Sequence, residues 1–308
     1  MRLAVIVLNW NAGPETIRCV QRLSSWQQMP PTIWVVDNAS TDGSVEAIAE
    51  GCPSARLVRN AANLGFAGGN NQGLRQALAA DSASILLLNN DASIDEPSAI
   101  RLCMTLVECE ALGFVGPLLF ASGETQSLLS AGGLSIATHI HTHTSRLTPG
   151  PYVRLVDYVP GTAVMIRPKA LAVGLFDEDY FFSGEMADLC ERARALGLES
   201  AIDTRARAIH TRHDPSRLRD TLYTYYSLRN RFLFVRKFRP RQRAWLYGFW
   251  LLLGLTMRAR AALQGRSDRA QAIHLALSDG LRGRFGGQNE RVLCTVQRRS
   301  GARCHTQT

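Results

Sequence analysis

Two polar residues, Asn89 and Asp91, directly follow the apolar run Ile85-Leu86-Leu87-Leu88. A buried strand that ends on such a pair carries it to the rim of a sheet, and in open α/β sheets that rim is where ligands bind. Carboxylate and carbonyl oxygens are the hard donors that Mg2+ or Mn2+ prefers, and these ions commonly act together with nucleotide phosphates. Taken alone, Asn90-Asp91 also reads as a strand-end turn. A second polar tip comes earlier: Asp37 and Asn38 end the segment Thr32-Ile33-Trp34-Val35-Val36 and open the cluster Ala39-Ser40-Thr41-Asp42-Gly43-Ser44. Ser40 or Asp42 can cap the helix that follows. The stretch Gly65 to Gly73, with Gly68, Asn70 and Asn71, reads as a loop that lets backbone approach a ligand and leads into a helix N-terminus, which favours phosphate.

The elements that must position these groups follow a regular rhythm. Leu3–Leu8 is a continuous apolar run of strand length, suited to a central parallel strand. A helix is predicted over 14–26, with Ile17, Val20 and Leu23 on one face. A strand over 32–36, a helix over 43–50 and a short strand over 55–59 come next. The glycine-rich stretch then opens a helix to about Ala80, and the strand 85–88 closes the series. This is the βαβ pattern of a mostly parallel sheet with helices on both faces, an α/β fold. The region 113–182 is less regular, with strands predicted at 115–120 and 163–166. A helix is predicted over 185–197, and two longer ones over Tyr223 to Lys237 and Trp245 to Leu263. The organisation reads as a body over 1–215, a helical extension over 216–282 and a polar, Arg-rich tail over 283–308 with the composition of a disordered segment.

Charge divides the same way. Of a net charge of +9, residues 1–215 hold 16 Lys/Arg against 22 Asp/Glu, and residues 216–308 hold 19 against 4. Such asymmetry points to an anionic partner, a membrane surface or a nucleic acid, or else to a solvated Arg-rich helix face. No nucleic-acid-binding motif accompanies the arginines, so a nucleic-acid partner is set aside. The seven cysteines form no CxxC and no zinc-like spacing, and are read as mostly reduced. The Leu3–Leu8 run reads as a strand rather than a secretory signal, which makes the cytoplasm the expected compartment.

The uncharged segment Ala244–Met257 is shorter than the roughly 20 residues a membrane span needs. Its two Trp and a Tyr, flanked by Arg241 and Arg243, suit a helix lying at a bilayer interface; a buried helix or a dimer contact is the other reading. His139, His141 and His143 alternate and would share one side of a strand.

The motifs together, in this order, resemble a known family. Leu8-Asn9-Trp10-Asn11, Val35 to Ser44, Asn63 to Asn71 and Leu87-Leu88-Asn89-Asn90-Asp91-Ala92 are followed by Pro160-Gly161-Thr162-Ala163 and Phe176-Asp177-Glu178-Asp179-Tyr180-Phe181-Phe182. Then come Glu185-Met186-Ala187-Asp188-Leu189-Cys190 and Arg229-Asn230-Arg231. The set is similar to family 2 of the inverting glycosyltransferases, in the rhamnosyltransferase-like branch, over about residues 1–240. The resemblance implies the GT-A fold (a mostly parallel central sheet with flanking helices), a dTDP- or UDP-sugar donor, a Mg2+ or Mn2+ cofactor, and inversion at the anomeric carbon.

Carried over residue by residue, the resemblance makes Asp91 the metal ligand. Asn89 stands where the family has the first acid of its DxD motif, as a weaker ligand or a ribose contact. Asp37 and Asn38 match the base-binding pair, and Leu8, Asn9 and Asn11 line the same pocket, with Gly68 and Asn70 at the donor. His210 and His213 are candidates to complete the metal site, with Arg212 on phosphate. Arg229 and Arg231 would hold the diphosphate or an anionic lipid carrier, or form a solvated helix face. The chain departs from the family at the base: relatives carry Glu-Asp-Val-Asp, and the expected base position here is Met186, whose thioether accepts no proton. Glu185 is then the first candidate and Asp188 the second, although Asp188 can instead pair with Arg192 or cap the helix.

These readings lead to an inverting transferase moving a sugar, rhamnose first, to a hydroxyl of a glycan acceptor, lipid-linked, in cell-surface polysaccharide assembly. The enzyme would sit peripherally on an anionic membrane at the inner face of the cell membrane. A catalytically silent sugar-nucleotide-binding or scaffolding subunit is the alternative, because of Met186. A nucleotidyltransferase is disfavoured, since the first loop has no basic phosphate signature.

Overall fold

The computed structural model describes residues 2–124, 126–211 and 217–299. The elements in chain order are β1 (Leu3–Asn9), α1 (Gly13–Ser24), β2 (Thr32–Asp37), α2 (Ser44–Gly51), β3 (Arg56–Arg59), α3 (Gly65–Ala79), β4 (Ser84–Asn89), β5 (Ala92–Ile94), α4 (Glu96–Glu108), β6 (Leu112–Ala121), β7 (Leu128–Ser130), β8 (Val153–Val156), β9 (Ala163–Ile166), α5 (Glu185–Arg194), β10 (Glu199–His210), α6 (Arg217–Phe238), α7 (Arg243–Leu263), α8 (Ser267–Arg282) and α9 (Asn289–Arg299). They form two compact units. The first comprises the chain to Ser135, His139–Asp177, and Met186 to the end of β10; the second comprises Ile136–Thr138, Glu178–Glu185 and the helices from α6 onward.

The first unit is built on one sheet, ordered β3-β2-β1-β4-β9-β6-β10-β5, with β7 beside β6 and β8 beside β10. The four strands β3, β2, β1 and β4 are parallel, as their uninterrupted apolar runs predict. Register aligns their tips: Asn9 lies opposite Asp37, and Leu8 opposite Asn89. Beyond β4 the sheet is mixed. β9 runs antiparallel to both β4 and β6, β10 runs parallel to β6, and the short β5 pairs antiparallel with the end of β10, His210 opposite Ala92. Such pairings, between residues 50 to 118 apart in the chain, leave no periodic trace in the sequence. α1 lays Thr16, Cys19, Val20 and Leu23, at helical spacing, onto the sheet core of Val5, Val7, Leu86 and Leu88.

α3 differs from the expected glycine loop. The stretch is helix from Gly65 on, and two of its glycines are there for clearance: a Cβ on Gly69 would lie 2.5 Å from Leu8 Cδ1, and one on Gly73 2.5 Å from Ile6 Cγ2. The alternating histidines do not form a strand either. The amide of His139 closes a turn onto Ser135 O at 3.1 Å, which breaks the alternation, and His143 Nδ1 rests 3.2 Å from Ser130 Oγ.

In the second unit α8 packs against α6 and α7. Close approach at Gly254 against Leu277 and at Gly280 against Phe232 requires the missing Cβ atoms. Asp279 is fully buried, accepts from Tyr225 Oη at 2.7 Å and pairs with Arg284 and Arg291. The tail after Gly283 is not all irregular: Asn289–Arg299 forms α9, which buries Val292 and Val296. Among the described residues no helix is long and apolar enough to cross a membrane.

Asp203, fully buried in β10, links that strand to α4. It accepts from Thr105 Oγ1 at 2.6 Å and from the Arg205 guanidinium at 2.8 and 2.9 Å. Burial by itself would raise its pKa; hydrogen bonds from Arg205 and Thr105 outweigh burial and hold the carboxyl below its ordinary value. The stabilisation is therefore complete above the unfolded value of about 3.9 and is lost as pH falls through the lower folded value. Asp203→Ala is expected to cost about 3 kcal/mol at neutral pH. Urea titrations at pH 7 and below pH ~4 check this: the gap to the parent should narrow in acid, and equal midpoints at pH 7 would refute the linkage.

Candidate active site at the strand tips

A chain of hydrogen bonds joins the tips of the parallel strands. Asn90 Nδ2 donates to Thr16 Oγ1 (3.0 Å), Thr16 Oγ1 donates to Asn9 Oδ1 (2.7 Å), and Asn9 Nδ2 donates to Asp37 Oδ1 (2.8 Å) and to Ser40 Oγ (3.1 Å). Asp37 Oδ2 accepts the amide of Ser40 at 3.0 Å. Asn11, in a left-handed conformation at φ 50, ties the same turn from the other side: its amide donates to Ser40 Oγ, and its Oδ1 accepts from Thr41 N. Asn9, Thr16 and Asp37 are buried. The sequence reading picked out Asn9, Asn11 and Asp37 but missed Thr16. The signal was present: a threonine on the inward face of α1, seven residues after Asn9.

Asn38 has a different role from the expected base contact. It is buried, its Nδ2 donates to Asn63 Oδ1 and Gly65 O, and its Oδ1 accepts from Asn60 Nδ2 and Leu64 N. All its polar capacity holds the 60–65 loop to the tip of β2. Gly68 is buried in the first turns of α3, and Asn70 turns its amide back onto Phe66 O at 2.9 Å. Both belong to the helix, not to a loop around a donor. Asn71 pairs with both backbone groups of Phe176. Leu8 lies under Gly69 at the end of β1.

Asp91 and His210, 119 residues apart, are brought together at the rim. His210 Nε2 lies 3.1 Å from Asp91 Oδ1, and the amide of Thr211 donates to Asp91 O at 2.8 Å. The pairing of β5 with β10 produces this contact. Both side chains keep some exposure, 10% for Asp91 and 22% for His210. Cys19 is close by, and burial, with the Asp91 carboxylate adding to it, pushes its thiol up to about 12. Among the described residues no group of three His, Cys, Asp or Glu is placed to hold a metal ion. One carboxylate and one imidazole nevertheless fit a hard cation that completes its shell with substrate phosphates and water. Asn89 ends β4 two residues before Asp91, and its amide nitrogen is bonded to Thr162 O. His213 and Arg212 lie outside the described residues.

The position where the resemblance expects a base is occupied by a packed side chain. Met186 is buried, and a Cβ on Gly161 would stand 3.2 Å from both Met186 Cγ and Phe66 Cζ. Asp188 is fully buried and receives Arg192 Nε at 2.6 Å, while the same guanidinium donates to the carbonyls of Val173, Gly174 and Leu175. Asp188 thus makes the pairing with Arg192 that is the other reading of it, and the pair anchors a loop. Glu185 is the first residue of α5, where a carboxylate is favoured by the helix dipole.

Arg229 also departs from expectation. It is fully buried, donates to the carbonyls of Asp179, Tyr180 and Gly286, and lies over the rings of Tyr225 and Tyr226. It cannot reach a diphosphate or a lipid carrier. Asn230 beside it donates to the carbonyls of Tyr180, Phe182 and Ser183 at 2.9, 2.9 and 2.5 Å. Together they clamp a loop in which Phe181 (φ 60), Ser183 (φ 71) and Gly184 (φ 99) are all left-handed, and which runs directly into Glu185. Arg231 lies 4.0 Å over Trp250 and donates to Ile136 O.

The sequence model of glycosyl transferase family 2 matches residues 4–167, more than half of the chain, and the chain belongs to that family. Two relatives extend the likeness. An N-acetylglucosaminyl-diphospho-decaprenol L-rhamnosyltransferase of Mycobacterium tuberculosis is 26% identical over 231 residues, covering 68% of this chain and 75% of its own. A low-salt glycan biosynthesis hexosyltransferase of Haloferax volcanii is 24% identical over 245 residues, covering 75% of this chain and 74% of its own. Among solved structures, a mannosyltransferase of Pyrobaculum calidifontis in complex with GDP-Man and Mn2+ has a TM-score of 0.56 at 15% identity, covering 91% of this chain and 87% of its own. GalNAc-T7 with UDP, GalNAc and Mn2+ has a TM-score of 0.58 at 13% identity, covering 75% of this chain and 51% of that one. The fold is GT-A, and the chain is a rhamnosyltransferase-like glycosyltransferase of family 2.

Asn230→Ala removes three donations to a strained loop and leaves the carbonyls and Arg229 to rearrange. A loss of about 3 kcal/mol in urea unfolding is expected, with faster hydrogen exchange of the 181–185 amides. Unaltered exchange there would show that the loop holds its shape without the clamp.

Proposed function

We propose that this chain is an inverting, divalent-metal-dependent glycosyltransferase. It moves a sugar, rhamnose first, from a dTDP- or UDP-linked donor to a hydroxyl of a lipid-linked glycan, working peripherally at the inner face of the cell membrane. The observation that carries the reading is the Asp91–His210 contact at the mouth of the sheet. The names of the two relatives, an N-acetylglucosaminyl-diphospho-decaprenol L-rhamnosyltransferase and a hexosyltransferase, support the substrate class.

The residues divide the work as follows. Asp37 uses two of the about four lone-pair sites of its carboxylate within the chain, and one of the others accepts the imide N–H of uracil or thymine. Asn9 and Asn11 fix the turn in which that carboxylate sits. Asp91 and His210 would hold Mg2+ or Mn2+, which neutralises the leaving diphosphate. Glu185 removes the proton from the acceptor hydroxyl. The freed oxygen bonds to the anomeric carbon from the face opposite the nucleotide. The bond to the diphosphate breaks, and its electron pair leaves with the phosphate oxygen.

The second reading, a silent sugar-nucleotide-binding subunit, rests on Met186, a buried thioether where the resemblance expects the base. Product assays with dTDP- and UDP-sugars and Mn2+ separate the two. Asp91→Ala is expected to lower transfer about 10³-fold. Glu185→Gln is expected to lower it about 10²–10⁴-fold with donor binding, followed by thermal shift, retained. Donor binding without turnover in the parent, restored by Met186→Asp, would favour the silent subunit. Full activity in Asp91→Ala would remove the metal assignment.

A further inference from the structure

We propose that the outward face of α7 lies flat on an anionic phospholipid bilayer and is the surface by which the second unit engages the membrane. This deepens the peripheral reading above by naming the surface, and does not depend on which sugar is moved. α7 buries Leu246, Trp250, Gly254 and Ala261 on one side. Its other side leaves Trp245, Leu252 and Leu263 about two-thirds or more exposed (69%, 67% and 90%), with Leu255 also in solvent. Trp245 and Phe249 stack with ring centroids 5.9 Å apart along the same side. At helical spacing these residues form one stripe, and the helix of 21 residues runs about 30 Å. An apolar stripe of this length facing solvent is uncommon on a protein that keeps it wet.

Charge selects the partner. From Ala244 to Met257 the helix has no charged residue, and α7 contains no acid at all. Exposed arginines stand at both ends, Arg241 and Arg243 before the stripe, Arg260 and Arg266 on either side of its last residue, Leu263. Of the four acids in residues 216–308, Asp279 is buried among its own arginine partners. A second copy of this chain is a poor fit. Because both ends are basic, pairing α7 with α7 in either direction sets arginine against arginine with no acid to separate them. A bilayer surface of anionic headgroups meets both ends at once while the stripe enters the acyl boundary, with the tryptophan at headgroup depth.

The test uses the full chain, sedimented with vesicles of phosphatidylcholine alone or with about 30% phosphatidylglycerol, at low and high salt. Binding is expected only with the anionic lipid, weakening with salt. Trp245→Glu/Leu252→Glu should bind at least about 10-fold more weakly. Arg241→Gln/Arg243→Gln, at exposed positions that leave the helix core intact, should bind about 10-fold more weakly with a shallower salt dependence. Val107→Glu, an exposed position on α4, should bind as the parent does. Parent-like sedimentation of both double variants would overturn the proposal. So would a dimer, seen by light scattering without vesicles, that Trp245→Glu/Leu252→Glu disperses, since the face would then belong to a second copy. Thermal shift with dTDP or UDP and Mn2+ is read in parallel. Vesicle binding without nucleotide binding would defeat the transferase reading and leave this one standing.

Discussion

The arrangement of the first unit turns on a short relay of two side-chain amides, a hydroxyl and a carboxylate at the ends of three neighbouring parallel strands. Asn90, Thr16, Asn9 and Asp37 each satisfy the next, so the tips of β4, β1 and β2 and the first turn of α1 are held as one piece. Hydrogen-bonded groups in such a relay specify a single arrangement, because any slip strands a donor or acceptor at a cost comparable to a lost hydrogen bond. Strand register does the rest. With Asn9 opposite Asp37 and Leu8 opposite Asn89, a one-residue slip would turn every inward side chain outward. The rim is therefore held in one arrangement by the chain's own contacts.

The Asp91–His210 pair depends on a different kind of contact. Asp91 lies just past β4, and His210 ends β10, most of the unit away in sequence. Only the antiparallel pairing of the three-residue β5 with the end of β10 brings imidazole to carboxylate. The site thus joins a locally encoded half, the parallel tips, to a half that exists only once the mixed part of the sheet has closed. Met186, where the resemblance expects a carboxylate, is a buried thioether beside the bare Cα of Gly161, a place in which a carboxylate would need hydration or partners. Asp188, two residues on, is held by Arg192 and serves the loop before α5.

In the second unit the same logic holds a strained loop. Three consecutive-but-one residues with positive φ, two of them not glycine, persist because Arg229 and Asn230 occupy the carbonyls around them. Left-handed phenylalanine is rare and costs of order 1–3 kcal/mol, so it survives only where its surroundings over-determine it. Arginines that look like ligand-binding groups in the sequence are here structural, since a guanidinium with five donors suits a cluster of loop carbonyls.

The sequence by itself determined the parallel strands, the helices between them and the identity of the tip residues, because apolar runs and helical spacing are local and polar residues at strand ends have few other uses. β1, β2, β4 and β9 fall where their runs predict, and so does α7. Only the tertiary structure decided which tip residues face inward. Asn38, Asp188 and Arg229 carry the right chemistry for a site and are consumed by neighbours 22 to 57 residues away or by one turn of helix. It also decided that the glycines of α3 serve helix–sheet clearance, and that His210 rather than the alternating histidines meets Asp91. Partner choice among polar groups depends on distances between segments remote in the chain, and residue type and spacing do not encode those distances.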